Sequence, residues 1–329
     1  MADYKTLHGT NIETVSSDPD NPVNGQVWYN STELKMKGFT QNPVGSWASG
    51  GNLNTGRQHA AGMGTQTAGL AVGGYNGSAT VDITETYNGS SWTEVGDLNA
   101  ARSGLRCSGL GSTTAGIAFG GDAPPGSALN ESWNGTTWTE VADLNTARYV
   151  GGGAGTSPAA LFFGGRVPGG NSDLCEVWNG SGWTEVGDLN TAKRETPGAG
   201  TSTSALAFAG YVSAGSALNE SWNGTSWTEV ADLNTARFGL GGGGVSNTSA
   251  IGYGGWNSTS STSEDVTETW NGTAWTEVAD CSTARHYVGQ GIGTQTSALA
   301  IAGSSDTAIM ATVEEYTSPL DATISFDAS

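Results

Sequence analysis

The chain has 329 residues, of which only 13% are charged, and its 12 Lys and Arg against 31 Asp and Glu give a net charge of −19. A surface so poor in cations and so negative repels phosphate, which argues against nucleic acid and anionic membranes as partners. Fifty-two glycines argue against helices, and Cys107, Cys175 and Cys281 show neither a disulfide framework nor a metal-ligand spacing.

Met1 is followed by polar residues with no apolar run, so neither a secretory signal nor membrane insertion is expected, and synthesis in a cytoplasm is. Residues 1–43 stand apart from the rest. Within them Val27-Trp-Tyr29 and Leu34-Lys-Met-Lys37 read as a β-hairpin around Asn30-Ser-Thr, with Leu34 and Met36 on one face and Lys35 and Lys37 on the other. A lone hairpin is unstable in water and must dock on something. Val27, Trp28, Tyr29, Leu34 and Met36 are therefore the expected anchoring residues.

From Trp47 onward one unit is written six times. Trp47, Trp92, Trp138, Trp183, Trp227 and Trp275 are each followed ten positions later by a basic residue: Arg57, Arg102, Arg148, Lys193, Arg237 and Arg285. In phase with them run a pair of small residues, from Gly73-Gly74 to Ala302-Gly303, and an aromatic at Tyr87, Trp133, Trp178, Trp222, Trp270 and Tyr316. Each of Glu85, Glu131, Glu176, Glu220, Glu268 and Glu314 lies two residues before that aromatic, and reads as the structural ion-pair partner of the basic residue. A period in this range marks a repeat architecture, in which each unit buries its apolar face against its neighbours.

One unit reads as four short strands. The apolar run Ala115-Gly-Ile-Ala-Phe119, the strand Leu129-Asn-Glu-Ser-Trp133 and the strand Trp138-Thr-Glu-Val141 follow a Gly/Ser-rich first strand, and Asn134-Gly135 lies between the two aromatics. Asn-Gly is a strong hairpin signal because a type I′ turn needs positive φ at both central residues. The same requirement accounts for Asn88, Asn134, Asn179, Asn223 and Asn271, which also match the N-glycosylation pattern. Four-stranded sheets repeated radially predict an all-β chain, a six-bladed β-propeller over 44–318, flanked by the N-terminal segment 1–43 and a C-terminal tail 319–329. The sixth unit lacks its Trp strand, and residues 44–50 have the spacing to supply it, so the ring is expected to close through this N-terminal outer strand.

The succession Gly-Gly, Glu-x-aromatic, Trp and Arg resembles the kelch repeat. Asn21-Pro-Val-Asn-Gly-Gln-Val-Trp-Tyr-Asn30, together with the Asp-Leu-Asn-Thr-Ala-Arg connections, resembles structural and tail-fibre proteins of tailed bacteriophages, marine ones in particular. These resemblances imply a kelch-like propeller carried on a virion, joined to other virion proteins through the N-terminal segment, with a homo-oligomer as a further expectation.

A propeller gathers its variable loops on one face. Immediately after the fixed basic residues stand Gln58, Ser103, Tyr149, Arg194, Phe238 and His286, six different chemistries in one repeat position, which place a ligand site at the mouth of the central channel. His59, Arg106, Tyr211, Trp256 and Tyr287 belong to the same face, and aromatic side chains there suit the apolar face of a sugar ring. Copper oxidases with kelch-like propellers need two His and two Tyr on the metal with a Tyr-Cys crosslink; of His8, His59 and His286 the last two fall in adjacent blades near the channel mouth, which leaves a two-His site open, but no crosslink partner is evident. Sialidase-like propellers need an arginine triad and Asp-box turns, and neither pattern is present. The expectation is a non-enzymatic virion protein without catalytic residues, metal or cofactor, attaching to host surface glycans or a surface receptor. The alternative is a cellular kelch-type module that binds another protein.

Overall fold

The computed structural model describes residues 12–20, 25–41, 44–122, 126–289, 291–318 and 321–326. Among them every regular element is a β-strand, so no helix is long and apolar enough to cross a membrane. The chain divides into two units, residues 46–317 and residues 1–45 with 318–329.

The larger unit is a series of small four-stranded antiparallel sheets, a propeller-like architecture. A representative sheet runs Gly152–Thr156, Ala159–Phe163, Cys175–Trp178 and Trp183–Glu185, each strand pairing with the next. Sheets of the same order begin at Ala61, Arg106, Gly198 and Gly241. The last sheet takes three strands, Gly293–Thr294, Ser297–Ile301 and Val313–Thr317, and its fourth position is filled by Ser46–Ser49, with Trp47 opposite Tyr316.

Residue type decides each layer. First strands are glycine-rich because neighbouring first strands approach too closely for side chains. A Cβ on Gly198 would lie 2.3 Å from the Gly153 carbonyl oxygen, inside any allowed contact. Gly109, Gly153, Gly198, Gly243 and Gly291 leave only a cavity of about 10 Å³ between them, room for about one water. Second strands, such as Ala159–Phe163, are buried on both faces and so read as continuous apolar runs. Fourth strands bury Trp and expose the following Thr and Glu, and that charge blunts an edge otherwise open to pairing.

The tryptophans pack within and between sheets. Trp133 and Trp138 face each other across their strands with ring centroids 5.2 Å apart, while Phe119, Phe163 and Phe208 each meet the fourth-strand Trp of the next sheet at 4.9–5.0 Å. The apolar clusters are accordingly shared between two sheets. Leu70 and Val72 pack with Trp133 and Trp138, and Ala71, Tyr87 and Trp92 pack with Ile292, Leu299 and Ile301.

A buried polar framework recurs in every repeat. The predicted ion pairs form between side chains with almost no solvent exposure: Arg57 with Glu85 at 2.5 Å, Arg102 with Glu131 at 2.8 Å, Arg148 with Glu176 at 2.5 Å, Arg237 with Glu268 at 3.0 Å, and Arg285 with Glu314. The second carboxylate oxygen accepts from the Asn of the Asp-Leu-Asn connection, whose backbone N–H and Nδ2 both donate to it, as Asn145 does to Glu176 at 2.8 Å. Both carboxylate oxygens of such a pair are engaged, while Nε of Arg57, Arg102, Arg148 and Arg237 is buried without a hydrogen-bond partner among the described residues; a carboxylate left half-satisfied is costly. Lys193 is the weak member: its Nζ donates to the Ala207 and Leu218 carbonyls and stands 3.4 Å from Glu220 Oε1, which is left buried without a hydrogen bond. Five repeats show that an arginine fits this position. Lys193→Arg is therefore expected to raise stability by about 1–2 kcal/mol by supplying the missing donor, read as a higher denaturant midpoint; an unchanged or lower midpoint contradicts this.

The Asn-Gly turns differ from the type I′ expectation. Tyr87 pairs with Trp92 and Trp133 with Trp138, so the loops have four residues, and only the glycine takes positive φ, 91° at Gly89 and 96° at Gly135. The asparagine contributes its side chain instead: Asn134 Oδ1 accepts from the backbone N–H groups of Thr136 and Thr137. Cys281, meanwhile, takes the buried position that Leu98, Leu144 and Leu189 hold in other repeats.

The smaller unit is one sheet in the order Glu13–Val15, Val27–Asn30, Lys35–Gln41, Asp321–Phe326. The predicted hairpin forms, but residues 319–329 are not simply a tail. Asp321–Phe326 pairs antiparallel with Lys35–Gln41, giving the unstable hairpin the strand it lacks. The predicted faces also change. Leu34 falls in the turn, at φ 59° and 73% exposed, and Lys37 is buried because its Nζ binds Asp18 Oδ2 at 2.7 Å and Glu33 Oε1 at 2.6 Å. Those contacts, with donors from Asn30 and Trp28 Nε1, hold the Asp18 carboxyl down at about 2. Trp28 is fully buried in this network, so it is a core residue rather than a free anchor. Val27 and Leu34 are exposed, and Tyr29 and Met36 are half-buried. His8 and residues 21–24 lie outside the described residues.

Candidate functional site

Each framework cation is followed by two residues in a fixed local geometry. The first makes an isolated β-bridge with the residue after the small pair: Gln58 with Tyr75, Ser103 with Asp122, Tyr149 with Arg166, Arg194 with Tyr211, Phe238 with Trp256 and His286 with Ser304. Two variable positions are thus brought together in every repeat. The second follower, His59, Gly104, Val150, Glu195, Gly239 or Tyr287, is left-handed, with φ of 53°, 61°, 50°, 53°, 63° and 51° in that order.

These second followers are joined by backbone hydrogen bonds. Gly104 N–H donates to His59 O, Val150 to Gly104, Glu195 to Val150, Gly239 to Glu195, Val288 to Gly239, and His59 to Tyr287. Two repeats use the glycine that this backbone favours. Four keep side chains where a left-handed residue costs about 1–2 kcal/mol.

The predicted aromatic candidates other than Tyr149 form one connected group with the two histidines. Tyr287 stacks on His59 at 4.1 Å, meets His286 edge-on at 4.5 Å and lies 6.3 Å from Phe238, which contacts Tyr211 at 5.3 Å; Trp256 packs edge-on against His286 at 4.9 Å. Arg194 lies 4.0 Å over the Tyr211 ring and donates to Asn171 Oδ1 at 2.7 Å. Tyr149 is set on a cavity of about 100 Å³ that His59, Ser103, Asp122, Val150 and Glu195 also line. Gln58 is half-buried and is tied to Tyr75 alone of the other face residues by its bridge. Arg106, expected on the face, is instead buried, its Nε donating to Gly151 O at 2.5 Å and its Nη1 to Leu105 O.

Glu195 is the residue that the sequence reading passed over. It is 9% exposed, and its carboxylate lies 3.8 Å from His59 Nδ1. Burial pushes its carboxyl up to about 7, against the pull of Arg106, Arg194 and Arg166. Burial, aided by the Arg106 and His286 charges, holds His59 down at about 3, and it lowers Arg106 to about 10. Burial and the Glu195 charge raise the Tyr287 phenol to about 12.

A carboxyl raised from 4.5 to about 7 binds its proton more tightly in the folded chain, so the stability it contributes is full below about pH 4.5 and is lost as pH rises through 7. Glu195→Gln is expected to be the more stable protein at pH 8, by up to about 3 kcal/mol, and to lose that advantage near pH 4. Melting curves of both proteins across this range check it, and a constant difference contradicts it.

One cluster has the composition but not the order of a nucleophilic triad. Ser263 Oγ donates to Asp306 Oδ1 at 2.5 Å and lies 2.8 Å from His286 Nδ1, so the hydroxyl sits between carboxylate and imidazole. A relay needs the imidazole in the middle to take the serine proton. Here the hydroxyl is tied to Asp306, and the group fastens the small hairpin Trp256–Asn257 and Thr262–Ser263 to its neighbours. Among the described residues no group of three or more His, Cys, Asp or Glu is placed to hold a metal ion.

No protein-family model and no curated protein matches this sequence.

Proposed function

We propose that this chain is a six-bladed kelch-like propeller, closed by Ser46–Ser49, that binds a saccharide on its channel-mouth face without catalysing a reaction. The ring reading rests on Trp47 opposite Tyr316, on an apolar cluster that joins the first and last repeats, and on the backbone bonds that run from His59 through the successive repeats and return from Tyr287. The observation that carries the function is the contrast between a buried framework repeated with few changes and the different side chains it projects immediately afterwards. The neighbouring left-handed positions retain His59, Val150, Glu195 and Tyr287 despite the backbone cost, as strained positions at binding sites do. Half-buried Tyr149, Phe238, Trp256 and Tyr287 offer ring faces of the kind that stack on sugars.

Within the same proposal the propeller is displayed on a tailed-phage particle for attachment to the host. The resemblance of the N-terminal segment supports this, and among its described residues exposed Val27 and Leu34 offer apolar contact to another virion protein. Detection of the chain in purified particles by mass spectrometry tests the location.

Replacing Tyr149, Phe238 and Trp256 together by Ala is expected to leave the fold intact and reduce glycan binding by roughly 30-fold or more, since a few aromatic anchors dominate a binding site. A glycan array probed with both proteins reads the effect. Undiminished binding by the triple variant removes the site from this face.

A further inference from the structure

Of the basic residues in 46–317, six belong to the buried framework, and the remaining three, Arg106, Arg166 and Arg194, all gather around Glu195. Each also stands beside the 100 Å³ cavity without lining it. Arg166 bridges Tyr149, Arg106 donates to the carbonyl of Gly151 beside Val150, and Arg194 directly precedes Glu195. In a chain of net charge −19 this is a local concentration of positive charge in an acidic molecule. Arg166 is exposed, and Arg194 is held flat by Tyr211 and Asn171 with only Nη1 engaged among the described residues.

We propose that the channel mouth selects saccharides bearing a carboxylate, with Arg166 and Arg194 receiving the acid group, Arg106 adding charge from below the surface, and the aromatic group stacking on the sugar ring. This deepens the saccharide-binding reading and rests on it. Guanidinium groups form paired, charge-assisted bonds with carboxylates, which a neutral sugar cannot reproduce. The other groups of the site fit the same ligand. Below pH 7 the Glu195 carboxyl keeps its proton and can donate to the bound acid, whereas above it the ionised group repels that acid. His59 stays neutral across this range and Tyr287 keeps its proton. Asp122, half-buried in the same cavity, is an acceptor for sugar hydroxyls.

The test is an array of carboxylated saccharides, each beside its carboxyl-reduced counterpart, probed with the full chain at pH 6 and pH 8. Binding is expected to be at least ~10-fold stronger to the acid of a pair at pH 6. It should fall by up to roughly 10-fold by pH 8, as the protonated fraction of Glu195 drops. Glu195→Gln should remove that pH dependence while keeping the preference for acid, and Arg166→Ala with Arg194→Ala should abolish the preference. Equal binding to both members of a pair overturns the carboxylate assignment and leaves saccharide binding standing. Absence of binding to every glycan overturns both.

Discussion

Glu176→Ala is expected to cost about 3–5 kcal/mol, enough to unfold a large part of a marginally stable domain near physiological temperature. The substitution leaves the Arg148 guanidinium, wholly buried, with carbonyl contacts but no counter-charge. It also strips the acceptor from the backbone N–H and Nδ2 of Asn145 and from the Thr146 N–H, so the buried guanidinium and three part-buried donors lose one carboxylate. Glu185 is paired opposite Glu176 on the next strand, but it is exposed. Glu185→Ala is therefore expected to shift stability by less than about 0.5 kcal/mol. Denaturant titration of the two variants provides the check, and similar midpoints would remove the framework role of the carboxylate.

Trp47→Ala should cost about 3–5 kcal/mol, as deletion of a packed aromatic does. The indole Nε1 donates to Ala279 O at 2.9 Å and Thr267 Oγ1 at 3.1 Å, and the ring packs 5.2 Å from both Tyr253 and Tyr316. In a chain of this size each kcal/mol moves the midpoint by about 2–4 °C, so a fall on the order of 10 °C is expected. If Ser46–Ser49 did not complete the last sheet, Trp47 would be a surface residue near the start of the chain, and its loss would barely register.

The repeat was legible because its demands are local and recur. Trp, a basic residue and Glu at fixed spacing are what a buried ion pair and packed indoles require, and six copies average out the noise of any one. The Asn of the connections recurs in five of the six repeats, with Ser282 in its place in the last, but its role depends on meeting the glutamate of the following sheet, a contact that spacing alone does not reveal. What occurs once was harder to read. Asp321–Phe326 is a strand because the Lys35–Gln41 edge lies open to it, and nothing in its own pattern names that partner. Lys37 looked like a solvated face until Asp18 and Glu33 closed over it. At the site, variation immediately after each framework cation pointed to Tyr149, Arg194 and Phe238, and the same variation one residue further on and after each small pair would have pointed to Glu195, Asp122 and Arg166. Arg106 escaped because its burial depends on the neighbouring repeat, where Gly151 offers the carbonyl.

Amide hydrogen exchange across the seam between the first and last repeats tests the closed ring most directly. A closed ring predicts that the His59 amide, bonded to Tyr287 O, exchanges as slowly as those of Gly104, Val150 and Glu195, and that Val313–Thr317 is protected to the same degree as Thr267–Trp270. Exchange of His59 and Val313–Thr317 at the rate of the exposed turn around Asn76 and Ser78 would contradict it.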